Sequence, residues 1–319
     1  MKKKRIKYAN LSLRVSGYCI LFILVFFMNG YSQDIHRAVS EGDLEKPGDT
    51  FLYSQSDISR KIQVNEDLTV EEIEENVIVA THRFPWAGNC LAVRVSPSEL
   101  VLVDTPWELT GTDALLTFLR ERFGRVHITA VNTHFHQDNL GGNEILLSRR
   151  IPVYGSDLTV RLLEEKGAAV IRRTLKSLSD PKHKRYFDAY KNLNLKPPDH
   201  VFELKKGLTL HIGEEDIEIF YPGPAHTLDN IVVYFPMRKI LFGGCMIRSL
   251  ESTGIFPPSD GDLDSWPRSA KNVLERFPEA RIVIPGHGTW GDIRLIQHTF
   301  DIANQSLRQS ELQKRGSLK

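Results

Sequence analysis

Cysteine is scarce in this chain, with three in 319 residues: Cys19, Cys90 and Cys245. That is too few for a disulfide framework, so a hydrophobic core must carry the fold. An excess of one charge is also missing, since 41 Lys and Arg against 40 Asp and Glu leave a net +1. A chain without a basic excess argues against nucleic acid as the partner, and none is expected. Internal repeats and low-complexity segments are absent. Long apolar runs are absent with one exception, residues 19–28, and that run falls short of the roughly 20 residues of a membrane-spanning helix. What remains is ordinary globular composition, 41% hydrophobic and 25% charged, enough for one large domain or two small ones.

The first 32 residues differ from the rest. Lys2, Lys3, Lys4, Arg5, Lys7 and Arg14 form a basic start with no acid, the apolar run follows, and Asn29, Gly30 and Ser32 come after it. This order is that of a secretory signal peptide, expected over 1–32 with cleavage near Ser32 and secretion of the mature chain. An uncleaved anchor is the alternative. Loss of these six basic residues and no acidic one takes the net charge from +1 to −5. No stable membrane partner is expected after cleavage. Residues 33–60 are polar and read as a poorly ordered lead-in.

From 61 to 315 the pattern is that of a single folded domain. Strands are expected at 74–81, 91–95, 99–104, 126–131 and 151–154, with helices at 112–123 and 157–166. Residues 170–195 are rich in Lys, Arg and Asp and read as an exposed helical excursion. A second run of strands begins at Val201, with 208–212, 217–221, 231–235 and 240–242. A helix from Asp264 to about Phe277, a strand at 280–284 and a closing helix at 292–309 complete the chain. Strands then helices, twice over, indicate two sheets packed together with helices outside.

The chemistry concentrates in His134-Phe135-His136-Gln137-Asp138-Asn139-Leu140-Gly141-Gly142. Two imidazoles and a carboxylate at alternate positions follow a strand and precede a Gly-Gly step into a helix. Imidazole nitrogen and carboxylate oxygen are the ligands of catalytic zinc. Three further strand ends carry metal-competent side chains: His226, Cys245 after Gly243-Gly244, and His287 between Gly286 and Gly288. The set matches two zinc ions with three protein ligands each, leaving positions open for water and substrate. The simplest partition gives His134, His136 and His226 to one ion, and Asp138, Cys245 and His287 to the other. His36, His82, His127, His183, His200, His211 and His298 read as structural or surface residues. A disulfide between Cys90 and Cys245 is the alternative for those two thiols. It would leave the second ion with two ligands, so Cys90 reads as a free buried residue.

These motifs resemble the metallo-β-lactamase superfamily, class B, subclass 1. The resemblance is carried by Asp104-Thr105-Pro106-Trp107, by the motif of residues 134–142, and by Gly223-Pro224-Ala225-His226-Thr227-Leu228-Asp229-Asn230. Leu241-Phe242-Gly243-Gly244-Cys245 and Pro285-Gly286-His287-Gly288 complete it. Position 139 is Asn where other branches carry a further His. Position 245 is Cys where many carry a bridging Asp. His134 stands where a monozinc subclass has Asn. The resemblance implies an α+β fold, the αββα sandwich of two mixed sheets packed face to face with helices on both outer faces. It implies two Zn2+ per chain, a small-molecule β-lactam substrate, and hydrolysis of the lactam amide in the periplasm by a zinc-held hydroxide that Asp138 orients. A monomer is expected.

In the resemblance Arg248, three residues beyond Cys245, binds the substrate carboxylate, and Asp104 supports the metal loop from behind. Phe84-Pro85-Trp86 forms an apolar flap over the substrate. An ordinary surface arginine is the alternative for Arg248, and a core position for the aromatics. Two features depart from the family. Gln137 stands between the ligands where a small or acidic residue is usual. Ile255 stands in the 252–260 loop where the family often places an Asn near the lactam oxygen. Hydrolysis of another ester, thioester or lactone is the second functional reading, and a zinc-stabilised binding protein the third.

Overall fold

The computed structural model describes residues 60–255 and 260–316. The signal peptide, all of the lead-in except Arg60, and residues 256–259 of the 252–260 loop lie outside the described residues. The first half of the chain gives β1 (Arg60–Gln63), β2 (Leu68–Glu74), β3 (Val77–Arg83), β4 (Ala87–Arg94) and β5 (Glu99–Val103), then α1 (Leu109–Phe123) and β6 (His127–Val131). It continues through α2 (Gln137–Leu140), α3 (Asn143–Ser148), β7 (Val153–Ser156), α4 (Asp157–Ser177), α5 (Lys184–Lys191) and β8 (His200–Phe202). The second half gives β9 (Leu208–Ile212), β10 (Glu215–Phe220), β11 (Val232–Phe235), β12 (Ile240–Gly244), α6 (Trp266–Arg276), β13 (Ile282–Pro285) and α7 (Arg294–Gly316).

The first eight strands form one sheet in chain order, antiparallel from β1 to β5 and parallel from β5 to β8. The last five form a second sheet ordered β13-β12-β11-β10-β9, with β12 and β13 parallel. Alternation along each strand explains why the sheets stack. Val77, Val79, Leu91, Val93, Val101 and Val103 join Ile217, Ile219, Val233, Phe235, Ile240 and Phe242 in one core between the sheets. Their neighbours Ile78, Ala80, Ala92, Leu100 and Leu102 point the other way, onto Leu115, Leu116 and Leu119 of α1. On the second sheet Val232, Leu241 and Val283 meet Trp266 and Val273 of α6 and Leu295 and Ile302 of α7. Strands buried on both faces need apolar residues at every position, which is the pattern here. Full burial of each such side chain stabilises by about 1.5–3 kcal/mol. The result is the αββα sandwich expected from the sequence.

Local readings need three corrections. The strand expected at 74–81 is cut by a turn at Glu75 and Asn76, where Asn76 takes φ 65°, a conformation Asn tolerates well. The hairpin of β1 and β2 therefore precedes it, although its short run offered little periodic signal. The helix expected to stop at 166 runs through Gly167 to Ser177, because Leu162, Leu163, Val170 and Thr174 are buried along one side. The excursion is thus not wholly exposed. Tyr190 of α5 and Leu178 are fully buried with Phe84 and Trp107. No helix among the described residues is long and apolar enough to cross a membrane.

Candidate metal centre

Four loop segments meet along one edge of the sandwich. Three follow strands β6, β12 and β13, and the fourth leads into β11. Loops beyond the carboxyl ends of parallel strands are where such folds place their sites. After β6 the chain turns through Asn132 and Thr133 to His134. His136 is the N-cap of α2, and α2 carries Asp138. Gly244 takes φ 55°, which swings Cys245 out of the strand direction. At Gly286 an added Cβ would lie 2.6 Å from Cys245 Sγ, so only glycine lets the two loops close.

The six side chains expected as ligands stand together. Asp138 Oδ2 lies 3.1 Å from His287 Nε2. Cys245 Sγ lies 3.4 Å from Asp138 Oδ2 and 3.2 Å from His287 Nε2. His136 Nδ1 and His226 Nε2 are 3.2 Å apart. The rings of His134, His136 and His226 pack edge-on, with centroids 4.8, 4.9 and 5.1 Å apart. Donors sharing one tetrahedral zinc, at bond lengths of about 2.0–2.3 Å, stand roughly 3.3–3.8 Å apart. The observed separations fall near that spacing. His134 Nε2 is buried with no hydrogen-bond partner, an arrangement that leaves a costly desolvated nitrogen unless a cation takes it. The donor set fits metal binding. Asp138, Cys245 and His287 form one cluster, while His134 belongs both with His136 and Asp138 and with His226 and Cys245.

Burial shapes the protonation of this site. It pushes the Cys245 thiol well up, and the charges of Asp138 and Asp104 add to that. It lowers His134 to about 3, with His136 acting in the same direction. Burial and His134 together depress His226 far below the imidazole range. Asp138 is the exception, for although burial opposes its charge, His287 and the neighbouring imidazoles hold its carboxyl well below the usual range.

Behind the ligands lies a buried polar floor. Asp104, with φ 60°, accepts from Thr133 N and Thr133 Oγ1 at 2.7 Å each, and from Asn139 Nδ2 at 2.5 Å. Burial pushes the Asp104 carboxyl up to about 8, against the pull of those donors. Asn139 is therefore a floor residue that bonds the supporting carboxylate. Cys90 and Cys245 are both free and buried, so they form no disulfide.

The aromatic pair separates. Phe84 is only 5% exposed, which overturns its placement in an exposed flap. Its ring packs against Tyr186 and Tyr190, and its carbonyl accepts from Tyr190 Oη at 2.5 Å. The reason is the excursion of α4 and α5, which covers it. Trp86 stays 45% exposed, 5.9 Å from the Trp107 ring, which in turn lies 6.2 Å from the His287 ring. Ile255 also departs from expectation: it is buried among Trp266, Ile296 and Ile302 instead of facing the site. Arg248 is partly buried near Cys245 and His287, with its Nε buried and unpartnered.

Sequence reasoning missed the residues that hold the ligands. Asp260 Oδ2 lies 3.0 Å from His136 Nε2. His287 Nδ1 lies 2.6 Å from the Ala87 carbonyl. Asn89 donates to the carbonyls of Pro285 and Gly288 at 2.9 Å each and receives no signal from any motif. Trp107 sits within a quoted motif, yet only packing reveals its place beside His287.

Comparison with known proteins follows the same lines. The family model of the Metallo-beta-lactamase superfamily matches residues 83–287. A metallo-beta-lactamase type 2 of Pseudomonas aeruginosa is 33% identical over 251 residues, covering 77% of this chain and 88% of that protein. The solved structure of TMB-1 superposes with a TM-score of 0.62 at 32% identity, over 76% of this chain and 99% of that one. A metallo-beta-lactamase from Pontibacter korlensis gives a TM-score of 0.58 at 29% identity, over 77% and 99%. With its fold, its clustered donors and these relatives in agreement, the chain belongs to the metallo-beta-lactamase superfamily.

Proposed function

We propose that this protein is a class B, subclass 1 enzyme that hydrolyses the amide bond of β-lactams with two zinc ions per chain. The observation that carries this reading is the joining of Asp138, Cys245 and His287 within 3.1–3.4 Å beside three converging imidazoles. Zinc bound there supplies a Lewis acid for the carbonyl and brings the pKa of water down to about 7. The chain's own residues do the rest. His134, His136 and His226 hold one ion, and Asp138, Cys245 and His287 the other. Arg248 offers its forked guanidinium to the substrate carboxylate. Trp86 lays an apolar surface beside the site. Asp104 keeps the turn at Thr133 in place from beneath.

Purified zinc-loaded protein should hydrolyse a carbapenem or a chromogenic cephalosporin and lose that activity to a chelator. No turnover with both ions bound would exclude the reading in favour of another ester, thioester or lactone. Cys245→Ser should lose one zinc and most activity. Full activity with two zincs in that variant would remove Cys245 from the ligand set. Export to the periplasm as a monomer after cleavage near Ser32 completes the proposal. N-terminal sequencing of the exported protein and sedimentation test it.

A further inference from the structure

The short helix α2 is the weakest part of the centre by its own physics. It has four residues, and its N-cap His136 makes no side-chain cap bond. A single turn cannot hold itself, because the entropy of fixing it exceeds what one hydrogen bond returns. Yet this turn carries His136 and Asp138, one ligand for each proposed ion. Something outside it must supply the rigidity.

The 21-residue helix α4 lies against it and grips it through two consecutive residues. Thr174 is buried, and its Oγ1 accepts from Gln137 Nε2 at 2.8 Å. Gln137 sits between His136 and Asp138, so this bond ties the middle of α2 to α4. Arg173 Nη2 lies 3.3 Å from both carboxylate oxygens of Asp260. Asp260 in turn meets His136 Nε2 at 3.0 Å, with its side chain 3% exposed. At its other end α4 reaches the His226 loop, where Thr159 Oγ1 donates to Asp229 Oδ2 at 2.8 Å.

A metal-binding imidazole must present one bare nitrogen, and the hydrogen bond made by the other nitrogen decides which. Asp260 accepts from the Nε2–H of His136 and leaves Nδ1 facing His226. A lone carboxylate can still rotate. A guanidinium nitrogen shared between both oxygens narrows that freedom and balances the charge.

We propose that Arg173 and Thr174 are positioning residues for the histidine end of the metal centre, acting through Asp260 and Gln137. This rests on the metal-binding reading above and gives Gln137 a role: it is the strap from the ligand turn to α4. The competing description is a surface ion pair of no consequence, since the Arg173 side chain is 46% exposed and such pairs contribute about 0–1 kcal/mol.

The test uses the mature full chain with cobalt(II) in place of zinc. The ion on the histidines reports through its d–d bands, and the ion on Cys245 through thiolate charge transfer. In Arg173→Ala the histidine-held ion should bind about tenfold more weakly, the low end of the effect of groups behind a ligand. Its d–d bands should shift while the charge-transfer band stays. Arg173→Lys should recover part of the loss, and Thr174→Val should shift the same bands where Thr174→Ser does not. Arg172→Ala, one position along α4, is the control. Natural spectra and affinity in Arg173→Ala would overturn the proposal. So would equal weakening of both ions with a fall in melting temperature, which marks general damage. A natural protein that binds both ions but hydrolyses no β-lactam would remove the functional reading alone, since the spectra still decide the positioning. A natural protein with no metal on the histidines would overturn both.

Discussion

At the scale of single side chains, His82 shows how burial and charge compete away from the centre. It lies 3.7 Å from Glu108, which by itself would favour the imidazolium. But Glu108 spends both oxygens on the start of α1, accepting from Thr110 N at 2.6 Å and Gly111 N at 2.5 Å. Burial therefore dominates, with the Arg185 charge adding to it, and His82 falls to about 4. The unfolded chain, with an ordinary His near 6.5, then binds more protons than the folded chain between the two values. Stability is full above about pH 6.5 and is lost as pH falls toward 4, by at most about 3 kcal/mol. Urea unfolding of His82→Gln at a series of pH values should show a shallower acid slope than the natural protein. An unchanged slope would assign the acid sensitivity to other groups.

At the scale of elements, the loop between β3 and β4 has three residues, and α5 decides what each can do. Phe84 is locked under Tyr186 and Tyr190, so Phe84→Ala should destabilise by about 3–5 kcal/mol, read from chemical unfolding. Trp86 projects outward, so Trp86→Ala should leave stability within about 0.5 kcal/mol and raise KM more than it lowers kcat. Equal effects of the two substitutions on stability would contradict this division. The sequence shows two aromatics flanking a proline. It does not show that a helix about 100 residues later covers one of them, because burial depends on a contact between distant segments. The α4 helix teaches the same lesson, since its charged sequence conceals a buried side.

At the scale of the whole molecule, the centre is assembled from both sheets. Its second-sheet loop is strapped to the first by Asn89, whose amide donates to Pro285 O and Gly288 O while its backbone N–H donates to Gly286 O at 2.8 Å. Asn89→Ala takes the donor from both carbonyls, of which Pro285 O is buried, and should cost about 1–3 kcal/mol. Because His287 lies between those carbonyls, the variant should also bind the Cys245-held metal more weakly. Chelator competition checks it, and natural affinity in a destabilised variant would separate the strap from the site. Metal bound only by the folded state stabilises it by about 2.7 kcal/mol at a free concentration 100 times Kd, so the melting temperature should drop on chelation and return with zinc.

The sequence alone determined the donor chemistry and the layers. Two imidazoles and a carboxylate at alternate positions, and glycines beside Cys245 and His287, are local facts written in adjacent residues. So is the alternation that sends Val77 and Val79 to one face and Ile78 and Ala80 to the other. Only the tertiary structure decided what holds the donors in place. Asp260 reaches His136 across 124 positions of sequence, and Asn89 reaches Pro285 across 196. Such partners are single ordinary residues with no spacing to mark them. They become visible only when packing brings their segments within hydrogen-bond distance of the ligands.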